Sequence, residues 1–385
     1  MTVRVLLHVQ HLLGIGHLKR AAALARALAA AGIETIVASG GFPVAGLDLG
    51  GARLSQLPPL RARDSGFKTL IGADDAPVDD AWWAARRARL LDIALHFAPD
   101  VVVTELFPFG RRQLRHELLP LLEALRARRP RPIVAASVRD ILNARPDPER
   151  TAEALGWFDR YYDWLLVHGD PRFVSLADSA PFVTRITDRI CHTGYIVEGV
   201  APERPAIAES NGEVVVSVGG GAVGAALLEA ALGARPQTPY KDRTWHLIAG
   251  HNLDEAAFGR VAREAGPGVE VERSRSDFRA LLARSVLSIS QCGYNTMLDV
   301  LQAGTRAVIV PFAGGGETEQ SLRAARLAAR GGFTVVTEAA LSAATLAAAV
   351  ARAAHGGPAS TAGLDLDGAA TSVSLIAAWA TARPR

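Results

Sequence analysis

Gly14-Ile15-Gly16-His17 sits where a short apolar run, 3–9, gives way to an Ala/Leu-rich run, 17–31. A strand, a Gly-rich turn and a helix in that order place His17 at a helix N-terminus. The helix dipole there disfavours the imidazolium, which keeps the ring neutral and able to take a proton. That is the state a general base needs, although a capping or packing histidine fits the same position. Thr104-Glu105, Ser137-Val138-Arg139-Asp140 and His168-Gly169-Asp170 each close a later apolar run. They fall at the carboxyl ends of strands, where ligands bind in open α/β sheets. Glu105 and Asp140 are carboxylates able to orient His17 or touch a ligand. Arg111, Arg112 and Arg139 are cations able to hold an anion. Each of these also reads as a cap or a surface charge. A second strand–turn–helix starts with Val214–Val218 and Gly219-Gly220-Gly221, with a helix expected from near Ala222. Glycine N–H groups beside a helix N-terminus suit a pyrophosphate; a plain tight turn uses the same residues.

The elements that must position these groups are legible as an alternation. Strands are expected at 3–9, 34–38, 100–104, 132–137, 164–167, 213–218, 244–249, 286–290 and 306–310, with helices at 17–31, 111–129, 222–233, 277–284 and 294–303 among others. Alternation of this kind predicts parallel sheets with crossover helices. Runs such as Val101-Val102-Val103 and Val214-Val215-Val216 are apolar on both faces, as sheets covered by helices require. The 385 residues exceed one core at ~100–200 residues per domain. The division expected is 1–196, a polar Pro-bearing linker 197–212, 213–366, and a terminal helix 367–385 that can cross back to the first domain.

Hydrophobic residues make up 49% and charged residues 21%, an ordinary globular balance. Residues 1–200 hold 25 Lys+Arg against 22 Asp+Glu and the rest hold 17 against 17, so the whole net charge of +3 lies in the first half. That mild excess excludes a nucleic-acid binder with a concentrated basic stripe. Two cysteines build neither a disulfide framework nor a four-ligand zinc site. The N-terminal apolar run is too short for a signal-peptide core, and no apolar run of about 18 residues predicts a membrane span. A cytoplasmic location is expected.

From 286 to 332 the chain reads Ser290-Gln291-Cys292-Gly293-Tyr294-Asn295-Thr296-Met297-Leu298-Asp299, then Gly304, the strand Ala307-Val308-Ile309-Val310, Pro311-Phe312, Gly314-Gly315-Gly316 and Glu319-Gln320. About 45 residues here resemble the C-terminal half of glycosyltransferase family 28, related to the peptidoglycan lipid-intermediate N-acetylglucosaminyltransferase and to bacterial predicted glycosyltransferases. The resemblance implies a GT-B fold, two Rossmann-like domains with parallel sheets facing a central cleft. It implies nucleotide-sugar binding at Gly293, Asn295, Thr296 and Asp299, the last accepting from the ribose hydroxyls. Glu319-Gln320 match the family's Gln pair at the donor sugar, and Ser274-Arg275 fall near its uracil loop. The chain departs from the family with Asp for the usual Glu at 299, Glu for the first Gln at 319, and Arg323 where the family has Asn. Read alone, Asp299 is a first-turn carboxylate favoured by the helix dipole. Phe278 reads as core packing, and His251-Asn252 as a loop or cleft lining.

Gly14-Ile15-Gly16-His17-Leu18-Lys19-Arg20 also resembles the Gly-rich turn of family 28 and the Ile-Gly-x-Gly-His-x-x-Arg segment of the UDP-sugar hydrolase of pseudaminic acid synthesis. The activity implied is metal-independent, inverting transfer of a hexosyl or N-acetylhexosaminyl group from a nucleotide sugar, UDP-linked, in cell-envelope polysaccharide assembly. No separate cofactor is expected. His17 is the expected base, Glu105 is expected to orient it or to contact the acceptor, and Gly14, Gly16, Arg111, Arg139 and Asp140 are expected on the acceptor side. The acceptor is unassigned; the +3 half suggests an anionic or lipid-linked one, which would place the enzyme at the inner face of the membrane. A nucleotide-sugar hydrolase and a non-catalytic nucleotide-sugar-binding protein are the alternatives. Asp74-Asp75 and Asp79-Asp80 read as a solvated loop rather than a metal site. Trp82-Trp83 with Arg86, Arg87 and Arg89 read either as a core-facing helix or as one making weak peripheral contact with anionic lipid.

Overall fold

The computed structural model describes residues 2–63, 69–142, 147–199, 201, 212–219 and 223–382. The chain divides into two units, Met1–Glu198 with Leu364–Arg385, and Gly199–Gly363. Most of the 197–212 segment, together with Gly220, Gly221 and Ala222, lies outside the described residues.

The first unit runs β1 (Arg4–Val9), α1 (Gly16–Ala30), β2 (Glu34–Ser39), β3 (Arg53–Gln56), β4 (Arg61–Ala62), β5 (Leu70–Ile71), α2 (Asp80–Phe97), β6 (Val101–Glu105), α3 (Arg115–Ala127), β7 (Ile133–Arg139), α4 (Pro148–Tyr161), β8 (Trp164–His168), α5 (Leu176–Ser179) and β9 (Ile190–His192). Its main sheet has the order β3-β2-β1-β6-β7-β8-β9, and every pairing in it is parallel. The order reverses between β1 and β6, the switch point at which doubly wound sheets bind ligands.

Two-sided burial explains the continuous apolar runs. Leu6, Val102, Val134, Leu165 and Val167 face one core with α2, α3 and α4. Val5, Leu7, Val101, Val103, Ala135 and Leu166 face a second core with α1. The C-terminal helix, numbered below, joins that second core: Ile376 is fully buried and Trp379 stacks on Trp164 at 5.5 Å.

The second unit runs β10 (Val214–Ser217), α6 (Ala225–Ala234), β11 (Trp245–Ile248), α7 (Glu255–Glu264), β12 (Val269–Glu272), α8 (Phe278–Arg284), β13 (Leu287–Ser290), α9 (Tyr294–Ala303), β14 (Ala307–Ile309), α10 (Glu319–Arg330), β15 (Phe333–Val335) and α11 (Ala343–Ala354); α12 (Gly368–Ala382) belongs to the first unit. Its sheet, β12-β11-β10-β13-β14-β15, is parallel and reverses between β10 and β13. Helix α6 starts at Ala225 behind Gly224 (φ 127°) rather than near Ala222. A Cβ on Gly224 would strike the Val218 side chain, so the turn needs glycine there before the helix can begin.

Candidate active site

His17 enters the first unit's sheet edge from the first turn of α1, and Glu105 ends β6. His17 Nδ1 lies 2.9 Å from Glu105 Oε1, and both residues are buried. Arg20, one turn along α1, forms an ion pair with the same carboxylate oxygen. Ser137 Oγ donates to the other oxygen, Glu105 Oε2, at 3.0 Å. Ser137 Oγ also lies 2.9 Å from His168 Nε2, and His168 Nδ1 lies 2.9 Å from Thr193 Oγ1. Glu105, Ser137 and His168 sit at the ends of neighbouring strands β6, β7 and β8, on the face that α1 covers.

Burial strips solvent from His17 and lowers its pKa to about 3; the Glu105 hydrogen bond opposes this, while Arg139 and Arg111 add to it. Burial alone would raise Glu105, but Arg20 and the His17 hydrogen bond outweigh it and hold the carboxyl at about 2. Glu105 is therefore an anion beside a neutral imidazole at pH 7. An anionic carboxylate can only accept, so His17 carries its proton on Nδ1 and leaves Nε2 as the basic atom.

The backbone at this edge is strained. Leu106 (φ 67°) and Arg111 (φ 54°) both adopt the left-handed region and bracket the turn after Glu105. Non-glycine residues held this way cost about 1–3 kcal/mol each and cluster at functional sites. Arg111 and Arg139 both act on His17 through their charge, and burial followed by repulsion from Arg139 brings Arg111 down to about 10. Asp140 is buried, accepting from the Ile141 N–H at 2.9 Å and from Tyr195 Oη at 3.1 Å, so it is tied into the β7–β9 junction. Arg112 pairs with Glu153 on the surface.

On the sheet's other face lies a separate buried network. Arg86 donates to Glu117 Oε2 (2.5 Å), to Gln10 Oε1 (2.6 Å) and to the Gly40 carbonyl (2.8 Å), while His8 Nε2 is 3.3 Å from Glu117. Arg86 belongs to α2, whose Trp83, Leu90, Ile93 and Phe97 face the core. The Trp82-to-Leu91 stretch is thus a core-facing helix with a buried cation. Of the nearby aspartates, Asp75 pairs with Arg61, Asp74 accepts from the Ala76 N–H, and Asp79 caps α2 through the Trp82 N–H.

In the second unit Gly293 caps α9 in extended conformation, and a side chain there would meet nothing within 4 Å. Asn295 and Thr296, both half-buried, lie in the first turn of α9. Asp299 lies in the second turn, a correction to its placement in the first. The dipole falls off within one turn, so the dipole does not account for Asp299. Its partner is Arg279 on α8, with Nε at 3.4 Å, and Arg279 also donates to Gln302 at 2.9 Å. Gln320 Oε1 accepts from the N–H groups of Cys292 (2.9 Å) and Phe312 (3.1 Å). Its carbonyl clamps the ends of β13 and β14 together, so its amide NH2 is what it can offer a ligand.

Glu319 and Arg323 are both buried and paired at 2.9 Å, with Arg323 also donating to the Cys292 carbonyl at 2.9 Å. Arg275 is held by Asp277 (2.8 and 3.1 Å) and Glu272 (2.9 Å), which raises its pKa; the Asp277 carboxyl is held at about 2, first by that hydrogen bond. Phe278 is half-buried, while His251 and Asn252 are exposed in the turn after β11. Gly219 (φ 68°) faces open space. Among the described residues, His246, Glu270 and Glu272 group as metal-ligand types. Arg275 Nη1, however, lies 3.5 Å from His246 Nδ1 and occupies that side of the ring.

Arg20, Ser137, His168 and Thr193 join the site without having been assigned to it from the sequence. The signals present were the spacing of Arg20 three residues after His17, which shares a helix face, and the strand-end positions of Ser137 and His168.

Residues 215–362 match the glycosyltransferase family 28 C-terminal domain. Over 126 residues the chain is 32% identical to the UDP-N-acetylglucosamine--N-acetylmuramyl-(pentapeptide) pyrophosphoryl-undecaprenol N-acetylglucosamine transferase of Brucella anthropi, covering 32% of this chain and 34% of that protein. The chain thus spans about a third of the length of that curated relative. Among solved structures it resembles the calicheamicin glycosyltransferase CalG4 (TM-score 0.59, 16% identity, 100% of this chain and 95% of that one). It also resembles MurG of Acinetobacter baumannii (0.57, 14%, 97% and 99%) and the spinosyn rhamnosyltransferase SpnG complexed with thymidine diphosphate (0.57, 16%, 100% and 97%). At such identities the structural likeness establishes the fold, a GT-B pair of Rossmann-like domains.

Proposed function

We propose, from a chain whose second unit is a family 28 C-terminal domain on a GT-B fold, that the protein is a glycosyltransferase using a nucleotide sugar. The observation that carries this reading is the His17–Glu105 pair at 2.9 Å. His17 Nε2 takes the proton of an acceptor hydroxyl. The hydroxyl oxygen attacks the anomeric carbon as the bond to the nucleoside diphosphate breaks, inverting the centre. Glu105 stays ionised and stabilises the imidazolium as it forms. We infer a UDP-sugar donor, bound with Asp299 at the ribose, the α9 N-terminus and the Gly219 turn at the pyrophosphate, and Gln320 at the sugar. Backbone N–H groups would then meet the leaving diphosphate without a metal ion. Arg111 and Arg139 are the groups that would meet an anionic acceptor, lipid-linked or free. Among the described residues no helix is long and apolar enough to cross a membrane, and the reaction is proposed for the cytoplasm.

The test is transfer from a panel of UDP-sugars to a mixed acceptor fraction from cell envelopes, read by mass spectrometry. His17→Ala should lose roughly 10²–10⁴-fold in rate while still binding donor. Undiminished transfer by that variant would overturn the assignment of the base.

A further inference from the structure

Glu105 does more than face His17: it is the end of a row of polar groups that crosses four neighbouring strands. From Glu105 on β6 the row passes to Ser137 on β7, His168 on β8 and Thr193 just beyond β9, with every link at 2.9–3.0 Å. All four are buried. Such a row is costly to bury unless each proton has a place, and counting protons fixes where they go.

Glu105 is anionic and can only accept, so the single Ser137 hydroxyl proton points to Oε2. A hydroxyl–carboxylate bond is charge-assisted and outcompetes a bond to a neutral imidazole nitrogen. Towards His168 the Ser137 oxygen is then an acceptor, so His168 Nε2 carries a proton. Burial, with Arg20 adding to it, lowers the His168 pKa to about 3, so the ring is neutral and holds one proton. Its Nδ1 is therefore a bare acceptor, filled by the Thr193 hydroxyl. The opposite direction would set the Ser137 and Glu105 oxygens against each other at 3.0 Å with no proton between them.

We propose that Thr193, His168 and Ser137 form a one-way hydrogen-bond relay that anchors Glu105 and fixes His17 as the Nδ1–H tautomer, with Nε2 turned into service as the base. The three are positioning residues; none touches the reacting atoms. Thr193 Oγ1 also lies 2.9 Å from the Gly194 carbonyl and 3.3 Å from that of Val167, acceptors that compete with His168 Nδ1 for its one proton. Arg20 supplies charge at Oε1.

The role of the relay rests on the reading of His17 as the base, but its existence is testable without substrate. Nitrogen-15 NMR of the histidine-labelled full chain reads each ring's tautomer directly. The relay requires two histidines in opposite tautomers, His17 protonated on Nδ1 and His168 on Nε2, neither titrating between pH 5 and 8. Finding His168 protonated on Nδ1, or either ring titrating near 6.5, overturns the relay. Assignment comes from the His17→Gln and His168→Gln variants.

In His168→Gln the amide NH2 can still donate to Ser137, so the His17 signals should hold. In Ser137→Ala the row is cut, and His17 should shift towards a mixture of tautomers. Unchanged His17 signals in a folded Ser137→Ala protein would contradict the positioning role. If the tautomers are as stated but no sugar transfer is ever found, the relay stands and the functional reading fails.

Discussion

Arg323 Nη2 donates to Glu319 Oε1 at 2.9 Å, one turn apart on α10, with both side chains buried. Two departures from the family 28 pattern therefore meet in this chain as one buried ion pair. Removing one partner of a buried pair leaves an unpaired charge and costs about 3–5 kcal/mol, whereas replacing both can be neutral. Glu319→Gln should therefore destabilise the second unit strongly in urea unfolding, and Glu319→Gln with Arg323→Asn should recover most of the loss. A double variant as unstable as the single one would show that the two positions are not coupled.

Asp299 is already engaged by Arg279, so a ribose would share the carboxylate with a guanidinium. Asp299→Ala should weaken UDP binding by roughly 1.5–3 kcal/mol for each charged hydrogen bond lost, and 2′-deoxy nucleotides should bind the parent protein poorly. Calorimetry with UDP and its 2′-deoxy analogue checks both. Equal affinities across the four combinations would remove Asp299 from the donor site.

Acid should unfold the first unit in two stages. His17 and His168 have folded values of about 3 against an ordinary 6.5, because burial excludes their charged forms. Above pH 6.5 both are neutral, folded or unfolded, and their contribution is complete. As pH falls below 6.5 the unfolded chain binds protons that the folded chain refuses, so stability declines towards pH 3. Glu105 and Glu117, held at about 2 against 4.5, resist the upward push of burial through Arg20 and Arg86 respectively; their contribution is lost from 4.5 down to 2. Urea midpoints measured from pH 7 to 4 should fall steadily, and His168→Gln should flatten the slope. A flat profile in the parent protein would contradict the buried neutral histidines.

Water competes with any acceptor for the same base. On the proposed reading, the purified protein given a UDP-sugar alone should release free sugar slowly and respond to added acceptor. Rapid, stoichiometric release without acceptor, measured by chromatography, would favour the hydrolase alternative. His17→Ala should slow either reaction, whereas a non-catalytic binding protein would be indifferent to it.

The sheets were legible because two-sided burial writes itself as continuous β-branched runs: Val101–Val103 and Val214–Val216 fall in strands buried on both faces. The charged edge strand β12, Val-Glu-Val-Glu, carries no such signature. His17 and Glu105 could be placed at one sheet edge because strand ends converge in a parallel sheet. The contacts among Glu105, Ser137, His168 and Thr193 could not, since each depends on rotamers and on lateral strand order rather than on spacing along the chain. Asp299 illustrates the converse: α9 spans 294–303 as expected, and within those bounds Asp299 is the sixth residue and lies in the second turn, so the first-turn reading conflicted with the helix bounds themselves. Glu319 and Arg323 looked like two separate anomalies until helix geometry put them face to face.

The account stands or falls on nucleotide-sugar binding by the second unit of the intact chain. Thermal unfolding against a panel of nucleotide sugars tests this most directly, because a ligand that binds only the folded state raises the transition by mass action. The account predicts that UDP-sugars raise the midpoint in the parent protein and in His17→Ala, and fail to do so in Asp299→Ala. No shift with any nucleotide sugar at millimolar concentration, or an equal shift in Asp299→Ala, would contradict it.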